Sequence, residues 1–147
     1  MSAEPLRGKP LADALRRDLR IRALALAETR GTPPMLAIVA VGGDAGSQVF
    51  LRKKLEACRE VGVEATVESL PAGTSEAKVH RLIANLGLNA DIDGIILELP
   101  LSKPLDATLL AEALPSDKDV AGVPPQNAGR VYAQTSWDAN KTANVLA

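Results

Sequence analysis

Met35 to Lys54, MLAIVAVGGDAGSQVFLRKK, contains a complete strand, turn and helix, and the rest of the chain is read outward from it. Met35 to Val41 is apolar throughout, as a strand covered on both faces must be. GGDAG, from Gly42 to Gly46, makes the turn, and the helix that follows carries Ser47, Phe50 and Lys54 within an arc of about 60°, with Cys58 continuing the stripe. Lys54 is thus expected near the carboxyl end of a strand, where open α/β sheets keep their ligands. Taken locally it is a solvated lysine, third in the basic run Arg52, Lys53, Lys54. Distant residues change that reading.

Before this unit, Leu11, Leu15, Leu19 and Leu26 mark one face of a predicted helix from about Pro10 to Glu28, stopped by GTPP at Gly31 to Pro34. After it, Gly62 ends the second helix. A weakly alternating strand is predicted over Val63 to Leu70, and PAGTSE leads to a third helix through about Leu88, capped by Thr74 or Ser75. IDGIILELPL, Ile92 to Leu101, is the third and most apolar strand. A short helix over Leu105 to Leu114 precedes the irregular stretch PSDKDVAGVPPQNAGRVY, and a last helix is predicted from about Asp138 to Ala147. The alternation of strands with helices predicts an α/β fold, a three-layer α/β/α domain with a mainly parallel sheet.

The chain has 147 residues, of which 46% are hydrophobic, and a formal net charge of −1, which fits one globular domain with a substantial core. That charge, with Phe50, Tyr132 and Trp137 as the only aromatics, supplies neither the basic surface nor the stacking platforms of a nucleic-acid binder. Cys58 is the sole cysteine and His80 the sole histidine, so neither an internal disulfide nor a Cys/His zinc site is expected. A helix-packed thiol and a surface or helix-packing histidine account for them. No signal-peptide layout and no apolar run near the length of a bilayer crossing is present, so a cytoplasmic protein with no membrane partner is expected.

Chemistry is sought where charge sits against pattern. Glu98 interrupts the most apolar strand, and an acid there must find a partner or stand at a strand end. Lys54 and Glu98 are both expected at the sheet end where a doubly wound fold opens its cleft. Together they form either a structural salt bridge or a catalytic lysine whose partner sets its charge. Asp117, Lys118 and Asp119 read as a solvated loop, and Asn127, Gly129 and Arg130 as turn and surface residues. GGDAG has neither GxGxxG nor GK(S/T) spacing and is not taken as a phosphate loop.

Together the motifs resemble the bifunctional methylenetetrahydrofolate dehydrogenase and methenyltetrahydrofolate cyclohydrolase family, specifically its N-terminal catalytic domain. GKPLA, PMLAIVAVGGDAGSQVFLRKKLEACREVGV, LNADIDGIILELPL and PSDKDVAGVPPQNAGRV occur in the family's order and spacing, over nearly the whole chain. The resemblance implies that Lys54 is the acid/base group and Glu98 its partner. It further implies a substrate pocket drawn from Ser47, Phe50, Leu99, Pro100, Ala121 and Gly122, a folate-type small molecule as ligand, and a homodimer.

Three positions depart from the family's pattern. SxxYxxxK has Phe50 for its tyrosine, GILVQLPLP has Glu98 for its glutamine, and KDVDG has Ala121 for its last aspartate. In the family the glutamine tunes the lysine, the tyrosine packs on the folate and the aspartate holds the pterin. The later PCTPxG segment is replaced by something like SWDANK, Ser136 to Lys141. A lysine that acts as a base must spend time neutral, and an ionised glutamate beside it favours the ammonium instead. Phe50 keeps a stacking surface without the phenol's hydrogen bond, and Ala121 removes a carboxylate able to accept two bonds from a pterin.

The resemblance therefore implies an enzyme of folate one-carbon metabolism with an altered site. The alternative is a catalytically impaired member that binds a ligand or partner on an inherited scaffold. Residues 1–147 correspond to the catalytic domain alone, without the family's C-terminal NAD(P)-binding domain. No cofactor is expected within this chain, NADP being expected for the full-length family, and its cofactor-binding residues are not identified. Cyclohydrolase chemistry needs no dinucleotide and is the activity expected to survive. The uncapped end at Ala147 also raises a third reading, a piece of a longer enzyme.

Overall fold

The computed structural model describes residues 7–43 and 45–133. The helix predicted from Asp138 and the Ser136–Lys141 segment lie outside the described residues. Three strands, β1 (Met35–Val41), β2 (Glu64–Leu70) and β3 (Gly94–Leu97), form an all-parallel sheet in the order β2-β1-β3. β1 is central because its side chains are apolar in both directions: Ala37, Val39 and Val41 face one side, Ile38 and Ala40 the other, and all five are buried. The expected α/β class and parallel sheet are both present.

The helices are α1 (Gly8–Arg30), α2 (Ala45–Val61), α3 (Glu76–Leu88), α4 (Ala107–Glu112) and α5 (Pro125–Ala133). Ala37, Val39 and Val41 join Val79 and Ile83 of α3, Ile95 and Leu97 of β3, and Leu110 of α4 in one core. α2 packs on β2 at the opposite face, and α1 packs against α2. These contacts set out the three layers. α4 starts where Asp106 accepts the N–H groups of Thr108 (2.8 Å) and Leu109 (3.3 Å).

Four expectations need correction. The leucines of α1 do not face the core: Leu11 is 65%, Leu15 52%, Leu19 45% and Leu26 44% exposed, and Ala23 is the helix's buried residue. The apolar period located the helix but carries no information on what covers it. β3 spans four residues, not the ten predicted. Its pairing ends where the Glu98 N–H bonds the Val39 carbonyl (2.8 Å), because Pro100, joined to Leu99 by a cis peptide, has no N–H to continue the ladder.

The stretch after Leu114 is less irregular than expected, since Pro125 opens α5 at a position suited to proline's fixed φ. Within that stretch Asp119 is not in a solvated loop. It is 2% exposed and forms a parallel bridge to Ile95 beside β3. Gly94 permits this approach: a Cβ there would lie 2.7 Å from Val120 Cγ1 and 3.2 Å from Leu36 Cδ1.

Candidate functional site

The carboxyl ends of β1 and β3 converge on the amino-terminal half of α2. β1 ends in the Gly42–Gly43 turn and α2 rises from it, carrying Ser47, Phe50 and Lys54 on one side. Glu98 directly follows β3, and its position is fixed by its own backbone bond to Val39. The Lys54 ammonium donates to the Glu98 carboxylate, forming a salt bridge between residues 44 apart in sequence. The Glu98 side chain is 13% exposed and that of Lys54 40%, so the acid is sheltered while the lysine still reaches solvent. The strand-end position and the counterion that Glu98 was expected to need are thus both present.

A pocket of about 380 Å³ opens beside this pair, lined by Gly46, Ser47, Phe50, Lys54, Glu98, Leu99 and Pro100. Phe50 and Leu99 are exposed there, offering an aromatic face and an aliphatic edge next to a proton-carrying pair. Such a combination can hold a flat ring by stacking and present one polar atom to Lys54. A larger cleft of about 610 Å³ lies at the amino ends of β1 and β2, between Met35, Arg59 and Glu64. Arg59 and Glu64 are both on its wall, but in open α/β sheets ligands bind at the opposite end. The smaller pocket is the candidate site.

Ala121 and Gly122 are not among the residues lining that pocket. Their backbone is fixed from outside it. Asp119 Oδ1 accepts the N–H groups of Ala121 and Gly122, both at 3.1 Å, and Asp119 Oδ2 accepts from Asn127 Nδ2 at 2.8 Å. Asn127, fully buried, also donates to the Ser116 carbonyl (2.9 Å) and accepts from Arg130 (3.3 Å). Reasoning from sequence missed this clamp. An Asp two residues before an Ala-Gly pair was the available signal, since that spacing suits a side chain folding back on backbone N–H groups.

Away from the pocket, Arg30 at the end of α1 grips Asp93, with Arg30 Nη2 2.9 Å from Oδ2, and the Met35 N–H bonds the same oxygen at 2.8 Å. The Arg30 hydrogen bonds, aided by the Met35 N–H, hold the Asp93 carboxyl below its ordinary range. Cys58 is half-buried on α2, and its burial pushes the thiol up, which disfavours the reactive thiolate. His80 is exposed on α3.

Among the described residues no group of three or more His, Cys, Asp or Glu could hold a metal ion, and no helix is long and apolar enough to cross a membrane. At the glycine turn a Cβ on Gly42 would meet Ser102 Cβ at 3.1 Å and Ala72 Cβ at 3.4 Å, so the turn packs closely against protein side chains.

Comparison with known proteins gives a consistent result. The pattern of the family described as "Tetrahydrofolate dehydrogenase/cyclohydrolase, catalytic domain" matches residues 6–121. The bifunctional protein FolD of Nitratidesulfovibrio vulgaris (strain DP4) is 42% identical over 126 residues, which are 86% of this chain and 44% of that protein. The bifunctional protein FolD of Aquifex aeolicus is 35% identical over 129 residues, 88% of this chain and 44% of that one. The chain thus spans under half the length of these relatives. Among solved structures, the bifunctional FolD methylenetetrahydrofolate dehydrogenase/cyclohydrolase from Campylobacter jejuni superimposes with a TM-score of 0.81 at 28% identity, covering 88% of this chain and 46% of that one.

Proposed function

Because the chain belongs to the tetrahydrofolate dehydrogenase/cyclohydrolase catalytic-domain family, we propose that its Lys54–Glu98 pocket binds a folate-type one-carbon carrier and acts in its hydrolysis. The observation that carries this reading is the Lys54–Glu98 pair placed beside the exposed Phe50 ring in one pocket. The pterin-like ring stacks on Phe50 against Leu99 and Pro100, and Ser47 and Lys54 meet its polar edge. When Lys54 is neutral it takes a proton from the water that attacks the methenyl carbon, and as the ammonium it returns a proton to the departing ring nitrogen. Glu98, bonded to the Lys54 ammonium, orients it toward the ring.

Hydrolysis of a methenyl group needs water and a proton carrier, both compatible with these residues, whereas hydride transfer also needs a dinucleotide. A cytoplasmic homodimer is the setting suggested by the family likeness.

A second reading has its own support. The Glu98 carboxylate engages Lys54 directly and position 121 has no carboxylate, so the pocket binds a ligand without turning it over. Turnover separates the two readings. The first predicts hydrolysis of methenyltetrahydrofolate above the buffer rate, followed by loss of its absorbance and abolished in Lys54→Met. Folate binding without turnover in either protein supports the second.

A further inference from the structure

The pocket is neutral inside and positive at its rim. Lys54 and Glu98 offset one another within it. Lys53, the preceding residue, is exposed and makes no hydrogen bond or ion pair with any described residue, Glu56 one turn on included. At 100° per residue, Ser47 and Lys54 lie about 40–60° to one side of Phe50, and Gly46 and Lys53 about 40–60° to the other. The bond from Lys54 to Glu98 places the strand end, with Leu99 and Pro100, on the first side. Gly46 also lines the pocket, so the space reaches past the Phe50 ring onto the arc that Lys53 borders.

Lys53 follows Gly46 by two turns, about 10 Å along α2. Side chains of a helix lean toward its amino end, so Lys53 extends back along this arc toward Phe50, and glycine at position 46 puts no side chain in the way. Arg52 is also exposed and unpaired with any described residue, but it stands about 160° from Phe50, across the helix from the pocket. A ligand whose ring stacks on Phe50 with its polar edge at Lys54 therefore leaves the pocket by the side of Lys53. An anionic group on that departing arm meets a cation that no other group has claimed, and no existing ion pair is broken to receive it.

We propose, on the reading of the pocket given above, that Lys53 receives a carboxylate on the ligand's outer arm and makes the site prefer carboxylate-tailed folates over the same ring system with an uncharged tail. The probes are 5-formyltetrahydrofolate, whose arm ends in a glutamate, and its diamide, in which both glutamate carboxylates are neutral amides of nearly the same size. Each is titrated into the full chain by calorimetry. The diamide should bind about threefold or more weakly than the acid, and raising salt from about 20 to about 500 mM should shrink that preference. Lys53→Glu should weaken the acid about tenfold and leave the diamide within about twofold, while Lys53→Arg keeps the preference. Arg52→Glu makes the same change of charge on the far side of the helix and should leave the acid within about twofold.

Equal binding of acid and diamide by the unaltered chain, or equal weakening of both by Lys53→Glu, overturns the proposal while leaving a folate in the pocket. So does a loss in Arg52→Glu as large as that in Lys53→Glu, which would make the effect one of overall charge. Binding of neither ligand by the unaltered chain refutes the reading of the pocket itself, and the proposal with it.

Discussion

Replacing Glu98 by glutamine isolates the effect of one charge on the candidate base. The two side chains are nearly isosteric, and the backbone bond from residue 98 to Val39 is untouched, so the change leaves the strand end in place. At a hydrogen-bonding separation of about 3 Å and an effective dielectric near 20, Coulomb attraction between Lys54 and Glu98 is about 5 kcal/mol. Lys54 is 40% exposed, and water around it reduces this to about 1–2 kcal/mol. Removing the carboxylate therefore takes away about 1–2 kcal/mol of attraction at Lys54, and about 1.4 kcal/mol is a factor of ten.

The assay is the initial rate of methenyltetrahydrofolate hydrolysis across pH. Glu98→Gln should be about tenfold faster than the unaltered chain near neutrality. A rate that falls throughout the profile would refute the reasoning and identify Glu98 itself as the group that moves the proton.

Two further outcomes concern the frame around the pocket. Asp119→Ala leaves the buried Asn127 amide and the N–H groups of Ala121 and Gly122 without their acceptor, and should lower the unfolding free energy in urea by about 3 kcal/mol; a loss under about 1 kcal/mol would mean the clamp is replaced by water. Asp93→Asn should cost about 1 kcal/mol at neutral pH, the pair being about one-third exposed and thus screened. Because folding lowers the Asp93 carboxyl below its unfolded value near 3.9, its contribution is present above that pH and fades as pH falls through the lower folded value. The urea stability gap between Asp93→Asn and the unaltered chain should narrow at acid pH, and a gap that widened there would contradict the assigned sign.

The parts of this molecule legible in the sequence are those where pattern and chemistry disagree locally. The apolar run of β1 specified a strand covered on both faces, and Glu98 within another apolar run implied a counterion, which is Lys54. Asp119 and Asn127 gave no such signal. Beside Gly122, Pro124 and Pro125 they have the composition of a solvated turn, and their burial follows from the pairing of Asp119 with Ile95, 24 positions away. The α1 leucines fail for a related reason, since helical periodicity aligns side chains without saying what lies opposite them. Arg30 and Asp93 are each ordinary surface residues in sequence, and only the sheet brings them together.

The central claim is that the pocket beside Lys54 and Glu98 still receives a folate. Isothermal titration calorimetry of tetrahydrofolate and 5-formyltetrahydrofolate with this chain and with Phe50→Ala tests it most directly. The account predicts measurable binding by the unaltered chain, lost on Phe50→Ala. Absence of binding by both proteins would contradict it and leave an inherited fold whose pocket serves a different ligand.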